Sequence, residues 1–288
     1  MQPEVVADYG CVTGENPLWH PIEKRLYWVD IPTGRMFRYD PASGGHEQCY
    51  EGDPIGGFTI QQDGSFLLFM EKGAIRAWHG IMLGTILDEI PRERGSRFND
   101  VIADPVGRVF CGTLSTSEQL GRLYRMDIDG RLTLQLKDVG ISNGLGFTPD
   151  CKGMYYTDSA KREIYYFDYE QWGGTIRRRR LFVRTPEGEG VPDGLTVDAD
   201  GYVWSARFGG GCVVRYSPEG EEDMRIEFPA KKVTSVTFGG EDYTDIYVTT
   251  GGGDNKEEEG SGAGALFRVN LGIKGKPEFF SKIIPLMV

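Results

Sequence analysis

One short plan recurs along the chain: a turn-like start, a short apolar strand, a tight turn and a second, aromatic-rich strand. The clearest copy is Val191-Pro192-Asp193-Gly194-Leu195-Thr196-Val197, followed by the turn Asp200-Gly201 and Tyr202-Val203-Trp204. Leu195 and Val197 alternate with polar residues as in a half-buried strand, and Asp-Gly is a hairpin turn. Other copies open at Gly14-Glu15-Asn16-Pro17, Phe98-Asn99-Asp100 and Ser142-Asn143-Gly144, with weaker ones at Ile55-Gly56-Gly57 and Val233-Thr234-Ser235. Aligned on the apolar residue before each turn, they bring Glu15, Gly56, Asn99, Asn143, Asp193 and Thr234 into one column. Successive members are 41, 43, 44, 50 and 41 residues apart.

A period of this size with several short strands per repeat predicts a propeller. Six copies fill the chain, so the expectation is an all-β, six-bladed β-propeller with about four antiparallel strands per blade, forming a single domain over 1–288. Blade one is expected from Glu15 to about Asp40. One terminus is expected to lend a strand to the blade formed by the other. The candidates are the stretch around Val5-Val6 and Glu278-Phe279-Phe280. Phe66-Leu67-Leu68-Phe69-Met70 reads as a buried strand.

In a propeller the first strand of each blade runs along the central axis, so the aligned column becomes a ring at one mouth of the channel. Glu15, Asn99, Asn143 and Asp193 give that ring carboxylate and amide oxygens. Asn, Asp and Gly also suit turns for purely local reasons. Glu15 does not, and two carboxylates facing one axis would repel each other without a cation. Oxygen ligands of this kind suit a hard divalent cation. Arg97, two residues before Asn99, is placed to reach the same mouth; the bland alternative is a surface arginine.

The rest of the chain narrows the class. A net charge of −11 argues against nucleic acid and anionic membrane surfaces as partners. The first eight residues lack the basic and apolar regions of a signal peptide, and no apolar run approaches a membrane span. The five cysteines (Cys11, Cys49, Cys111, Cys151, Cys212) form no CxxC pair and read as free thiols of a cytoplasmic protein, with Cys111 packed in a strand. His20, His46 and His79 have no zinc-pair spacing. Arg177–Arg180 reads as a solvated strand flank, and the glycines at 209–211 as a tight turn. Residues 115–120 are a candidate lid or a longer hairpin. The acidic, glycine-rich segment 251–262 lacks EF-hand spacing and reads as a mobile loop near the mouth.

Four of these motifs together are specific. Gly14-Glu15-Asn16-Pro17-Leu18-Trp19, Arg97-Phe98-Asn99-Asp100, Ile141-Ser142-Asn143-Gly144-Leu145 and Pro192-Asp193-Gly194-Leu195 resemble, in order, those of the senescence marker protein (regucalcin)/gluconolactonase family. The resemblance implies a six-bladed propeller that binds one divalent cation (Ca2+, or Zn2+, Mn2+, Mg2+ or Fe2+) and hydrolyses sugar lactones. It puts metal ligands at Glu15, Asn143 and Asp193. Asn99 falls beside the metal, contacting substrate or a water there, and Arg97 falls on substrate hydroxyls. Asp193 is also the candidate base, with Glu15 as fallback. The implied partner is a small-molecule sugar lactone, with no obligate protein partner evident. The chain departs from the family at Asn16 and Cys151, where glycine is usual, and in a short lid. There Glu118 lies one residue out of register with a family glutamate and is given no role. The alternatives are a metal-dependent organophosphate or aryl-ester hydrolase and a non-catalytic interaction propeller. The latter is suggested by Leu26-Tyr27-Trp28-Val29-Asp30 and Tyr155-Tyr156-Thr157-Asp158.

Overall fold

The computed structural model describes residues 2–284; Met1 and 285–288, which the expected domain includes, lie outside the described residues. Six four-stranded antiparallel sheets follow one another around an axis, which is the predicted six-bladed propeller. Five blades are built from consecutive strands. In the sixth, the chain order is broken: Glu4–Asp8 pairs antiparallel with Ala265–Asn270 and becomes the outermost strand. Main-chain hydrogen bonds between the two ends of the chain thus close the circle. The N-terminal candidate for this role is the correct one.

Glu278-Phe279-Phe280 does something else. Residues 274–284 form a strap across the end of the channel away from the first-strand starts. The N–H of Ala199 donates to the Lys274 carbonyl, that of Gly275 to Tyr243, that of Ser281 to Ile60 and that of Lys282 to Gly107. These partners belong to blades five, six, two and three, so the strap ties opposite sides of the ring together. A further correction concerns blade one, which continues past Asp40 into a fourth strand, Gly45–Glu51. That strand is mostly exposed and polar, which is why apolar alternation does not reveal it.

The core lies between blades. Trp204 and Val213 of blade five pack on Val236, Phe238 and Ile246 of blade six, and Phe110 and Leu123 of blade three on Phe147 and Met154 of blade four. Phe66–Met70 is fully buried, as expected. The arginines of 177–180 are all exposed on an outer strand, Thr175–Arg184, and Arg180 pairs with Asp168. Among the described residues no helix is long and apolar enough to cross a membrane, and the five cysteines are unpaired.

The segment 251–262 corrects the expectation of a mobile loop. It folds into a 3-10 turn, Gly253–Asn255, and one helical turn, Lys256–Glu259. The N–H groups of Gly252 and Gly253 donate to the carbonyls of Val12 and Cys11 at 2.9 Å. Lys256 pairs with Asp8 at 2.5 Å and Lys232 with Glu259 at 2.8 Å. Lysines at both ends offset the acidic run, and the chain packs on its neighbour.

Both family departures sit in left-handed backbone. Asn16 has φ +49° and Cys151 φ +56°. Asparagine tolerates this region, whereas cysteine meets a steric penalty that glycine avoids. Replacing Cys151 by glycine is therefore expected to raise stability by about 0.5–1 kcal/mol. A denaturant midpoint at or below that of the parent would refute this account.

Candidate active site

The column of six aligned residues becomes a ring of six strand starts. Glu15 lies in Gly14–His20, Gly56 in Ile55–Ile60 and Asn99 in Phe98–Ala103. Asn143 lies in Ser142–Phe147, Asp193 in Val191–Val197 and Thr234 in Val233–Gly239. Each of these strands carries a register shift against its neighbour at the ring residue. The shifts run from Glu15 to Leu18, Ile55 to Gly57, Phe98 to Val101, Asn143 to Leu145, Pro192 to Leu195 and Val233 to Ser235. Such bulges interrupt the in–out alternation of a strand and re-aim its side chains.

Two ring members without carboxylate or amide oxygens have structural work. A Cβ at Gly56 would lie 1.9 Å from the Phe98 carbonyl oxygen, so only glycine lets these two inner strands approach. Thr234 donates its hydroxyl to the Gly14 carbonyl, joining blade six to blade one.

The other four are buried. The Asn16 N–H donates to Glu15 Oε2 at 2.8 Å and fixes that carboxylate. Asn99 Nδ2 donates to the Ser142 carbonyl at 2.8 Å, and Asn143 Nδ2 to Ser159 Oγ at 3.1 Å. Each amide is thereby oriented with its oxygen left for other work. Asn99 Oδ1 accepts from Arg97 Nη1 at 2.7 Å. Asn143 Oδ1 is buried and has no hydrogen-bond partner.

Electrostatics tie the group together. Glu15 titrates well above the usual carboxylate range because it is buried and faces Asp193 and Asp100. Burial and then Asp100 raise Asp193, against a side-chain hydrogen bond from Asn143 and the charge of Arg97. Burial pulls the Arg97 guanidinium down while Glu15, Asp193 and Asp100 hold it up. Arg97 is therefore half-buried beside the ring carboxylates and is not a solvated surface arginine.

Asp100 is the residue the sequence reading missed. It lines the channel below the ring together with Asn16, Thr59, Thr196 and Ser235, and burial raises it to about 7. Strand alternation sends the residue after Asn99 to the opposite face. The bulge between Phe98 and Val101 instead lets both approach the axis. Asp100 stood in view in the Arg97–Asp100 motif, but only the bulge gives it a role. The cavity it lines measures about 50 Å³ and is also lined by Glu278 and Phe279 of the strap.

Residues 115–120, the candidate lid, form a longer hairpin connection between the paired strands Val109–Thr113 and Gly121–Met126, and are stitched to the segment that carries Arg97. Ser96 Oγ donates to the Leu114 carbonyl at 2.7 Å, and the Leu114 N–H to the Arg97 carbonyl at 3.1 Å. Arg122 Nη1 bridges Glu93 Oε1 at 2.9 Å and Gln119 Oε1 at 3.2 Å. Glu118 is exposed on this lid.

Fully ionised, three carboxylates against one guanidinium leave two negative charges at the axis. Among the described residues no group of three or more His, Cys, Asp or Glu side chains that could hold a metal ion is present. The expected ligand set is of a different kind, two carboxylates and an amide. The unpartnered Asn143 Oδ1, the two surplus charges and the all-oxygen donors fit a hard divalent cation.

Residues 13–252 match the sequence profile of the SMP-30/Gluconolactonase/LRE-like region. The chain belongs to this family. Pentonolactonase XacC of Haloferax volcanii is 47% identical over 96% of this chain and 97% of its own length. The 6-deoxy-6-sulfogluconolactonase of Pseudomonas putida is 36% identical over 93% and 94%. The solved structure of a luciferin-regenerating enzyme matches with a TM-score of 0.89 at 28% identity, covering 98% of this chain and 99% of that one. As a member of this family, the chain is a hydrolase of the lactonase type.

The raised carboxylates have a consequence for stability. A folded carboxyl that titrates above its unfolded value binds more protons than the unfolded chain between the two values. Cation-free protein is thus most stable below about pH 4 with respect to these groups, and loses that contribution as pH rises toward about 7, the value for Asp100. Melting temperature in chelator is expected to fall across this window, and to fall less steeply in Asp100→Asn. Equal slopes for the two proteins would remove Asp100 from this effect.

Proposed function

We propose that the chain, as one propeller domain, hydrolyses a sugar lactone to its aldonic acid. The substrate class is an aldonolactone such as glucono-, galactono-, arabino- or xylonolactone. The observation that carries this reading is the buried, net-negative ring with an unpartnered amide oxygen and one guanidinium beside it. The names of two relatives, a pentonolactonase and a 6-deoxy-6-sulfogluconolactonase, support the substrate class. The ring also argues against a purely structural propeller, which gains nothing from burying mutually repelling carboxylates.

Glu15, Asn143 and Asp193 would hold one divalent cation: Ca2+, or Zn2+, Mn2+, Mg2+ or Fe2+. When bound, it would supply Lewis-acid polarisation of the lactone carbonyl. The chain's own residues do the rest. Arg97 and Asn99 bind ring hydroxyls and hold the carbonyl carbon over the ring. Asp193 is the base: it accepts a proton from the attacking water as the new C–O bond forms. That proton passes to the ring oxygen as the ester bond breaks, giving a hydroxyl and a carboxylic acid that ionises in water. In the cation-free protein burial raises Asp193, the direction that makes a carboxylate a better proton acceptor, and a bound cation would pull it back down. The five free thiols suit a cytoplasmic setting.

Asp193→Asn is expected to keep the parent's circular dichroism while losing about 100-fold or more in kcat/KM on an aldonolactone. Retained turnover would assign the base elsewhere, with Glu15 next. Chelation is expected to lower both activity and melting temperature. Re-adding the preferred cation at 100 times its Kd should restore about 2.7 kcal/mol of stability. A panel of aldonolactones, an aryl ester and an organophosphate, assayed with single re-added cations, tests the substrate class. Preference for either of the last two would overturn the sugar-lactone assignment.

A further inference from the structure

Beside the ring, on the same end of the propeller, lies a groove of about 380 Å³ built from three blades. Pro32 comes from the blade-one turn, Pro54 from the approach to blade two, and Ser96 and Arg97 from the approach to blade three. Leu114 and, from the 115–120 connection, Thr116 line the other side. We propose that this groove is the subsite for the exocyclic carbons of the lactone, the part of the substrate that does not react. The inference rests on the lactonase reading above.

Three observations carry it. The first is continuity. Arg97 lines the groove and also donates to Asn99 Oδ1 in the ring, so it is shared by both. A lactone whose carbonyl carbon lies over the ring, with its exocyclic arm on the Arg97 side, extends into the groove. The second is rigidity. The Lys72 N–H donates to the Ser96 carbonyl at 2.8 Å, Ser96 Oγ holds the Leu114 carbonyl, and Thr116 Oγ1 accepts from the N–H groups of Glu118 and Gln119. Fixed walls keep the groove formed in the absence of substrate. The third is charge. Arg97 is the cation among the lining residues, and three carboxylates already draw on it. Glu71 is the lining anion and pairs with Lys72 at 3.2 Å. Proline faces with scattered hydroxyls and balanced charge suit a neutral, hydroxylated carbon arm. At about 380 Å³ the groove has room for the arm of a hexonolactone as well as for none.

D-Glucono-1,5-lactone and D-xylono-1,5-lactone differ only by the hydroxymethyl group on C5, so they form the matched pair for the test. Filling the groove from the lid side with Thr116→Trp, and from the opposite wall with Pro54→Phe, is expected to lower the glucono/xylono ratio of kcat/KM at least about tenfold in each variant. Melting temperature checks that each variant folds; if one does not, the other carries the measurement. A ratio unchanged from the parent, with both lactones losing equally or neither changing, overturns the groove assignment and leaves the lactonase reading in place. Parent protein that hydrolyses neither lactone overturns both.

Discussion

Burying carboxylates of the same sign around one axis is costly, and the rest of this fold bears that cost. Glu15, Asp100 and Asp193 are each held out of water, and each feels at least one of the others or Arg97. Such a group survives only if the backbone cannot relax and if positive charge or protons offset the repulsion. Arg97 supplies one charge and protonation supplies the remainder in the absence of a cation. A divalent ion would do so without protonation, and would satisfy Asn143 Oδ1 as well.

The stiffness comes from two closures, of the circle of blades by the N-terminal strand and of one end of the channel by the strap. The N-terminal strand completes blade six, so the last sheet cannot open without breaking a full ladder of backbone hydrogen bonds. The strap ties four blades together beneath the cavity. Thr234 and Gly56 contribute at the ring itself, one by bridging blades and the other by letting two strands approach. Ring positions that look chemically empty therefore hold the charged ones in place.

The bulges link fold to chemistry. A regular strand presents every second side chain to the axis, which gives one polar group per blade at the mouth. The shift at each strand start departs from that rule, and brings Asn99 and Asp100 of one blade to the same centre. Glu15 and Asn16 show the same arrangement in blade one, where Asn16 lines the cavity and also holds the Glu15 carboxylate. The left-handed backbone of Asn16 is the local condition for that geometry. The lid, stitched through Ser96, Gln119 and Arg122, then places Arg97 beside the amides.

The sequence alone determined the blade count, the alignment of the six strand starts and four of the ring's polar members. Those depend on period and turn chemistry, which are local and repeat. Distance from Asn99 put Arg97 within reach of the mouth, but bare sequence favoured a surface arginine, and only the family resemblance gave it a role. Tertiary structure decided what local pattern does not encode. Asp100 joined the site because a bulge overrode alternation. Glu278-Phe279-Phe280 looked like a strand, yet became a strap because the outer position in blade six was already filled by Glu4–Asp8. Segment 251–262 had the composition of a mobile loop, but side chains distant in sequence, Asp8 and Lys232, and the backbone of Cys11 and Val12 gave it a fold. The groove beside Arg97 is assembled from turns of three blades. Each turn is unremarkable alone, and only closure of the ring puts them side by side.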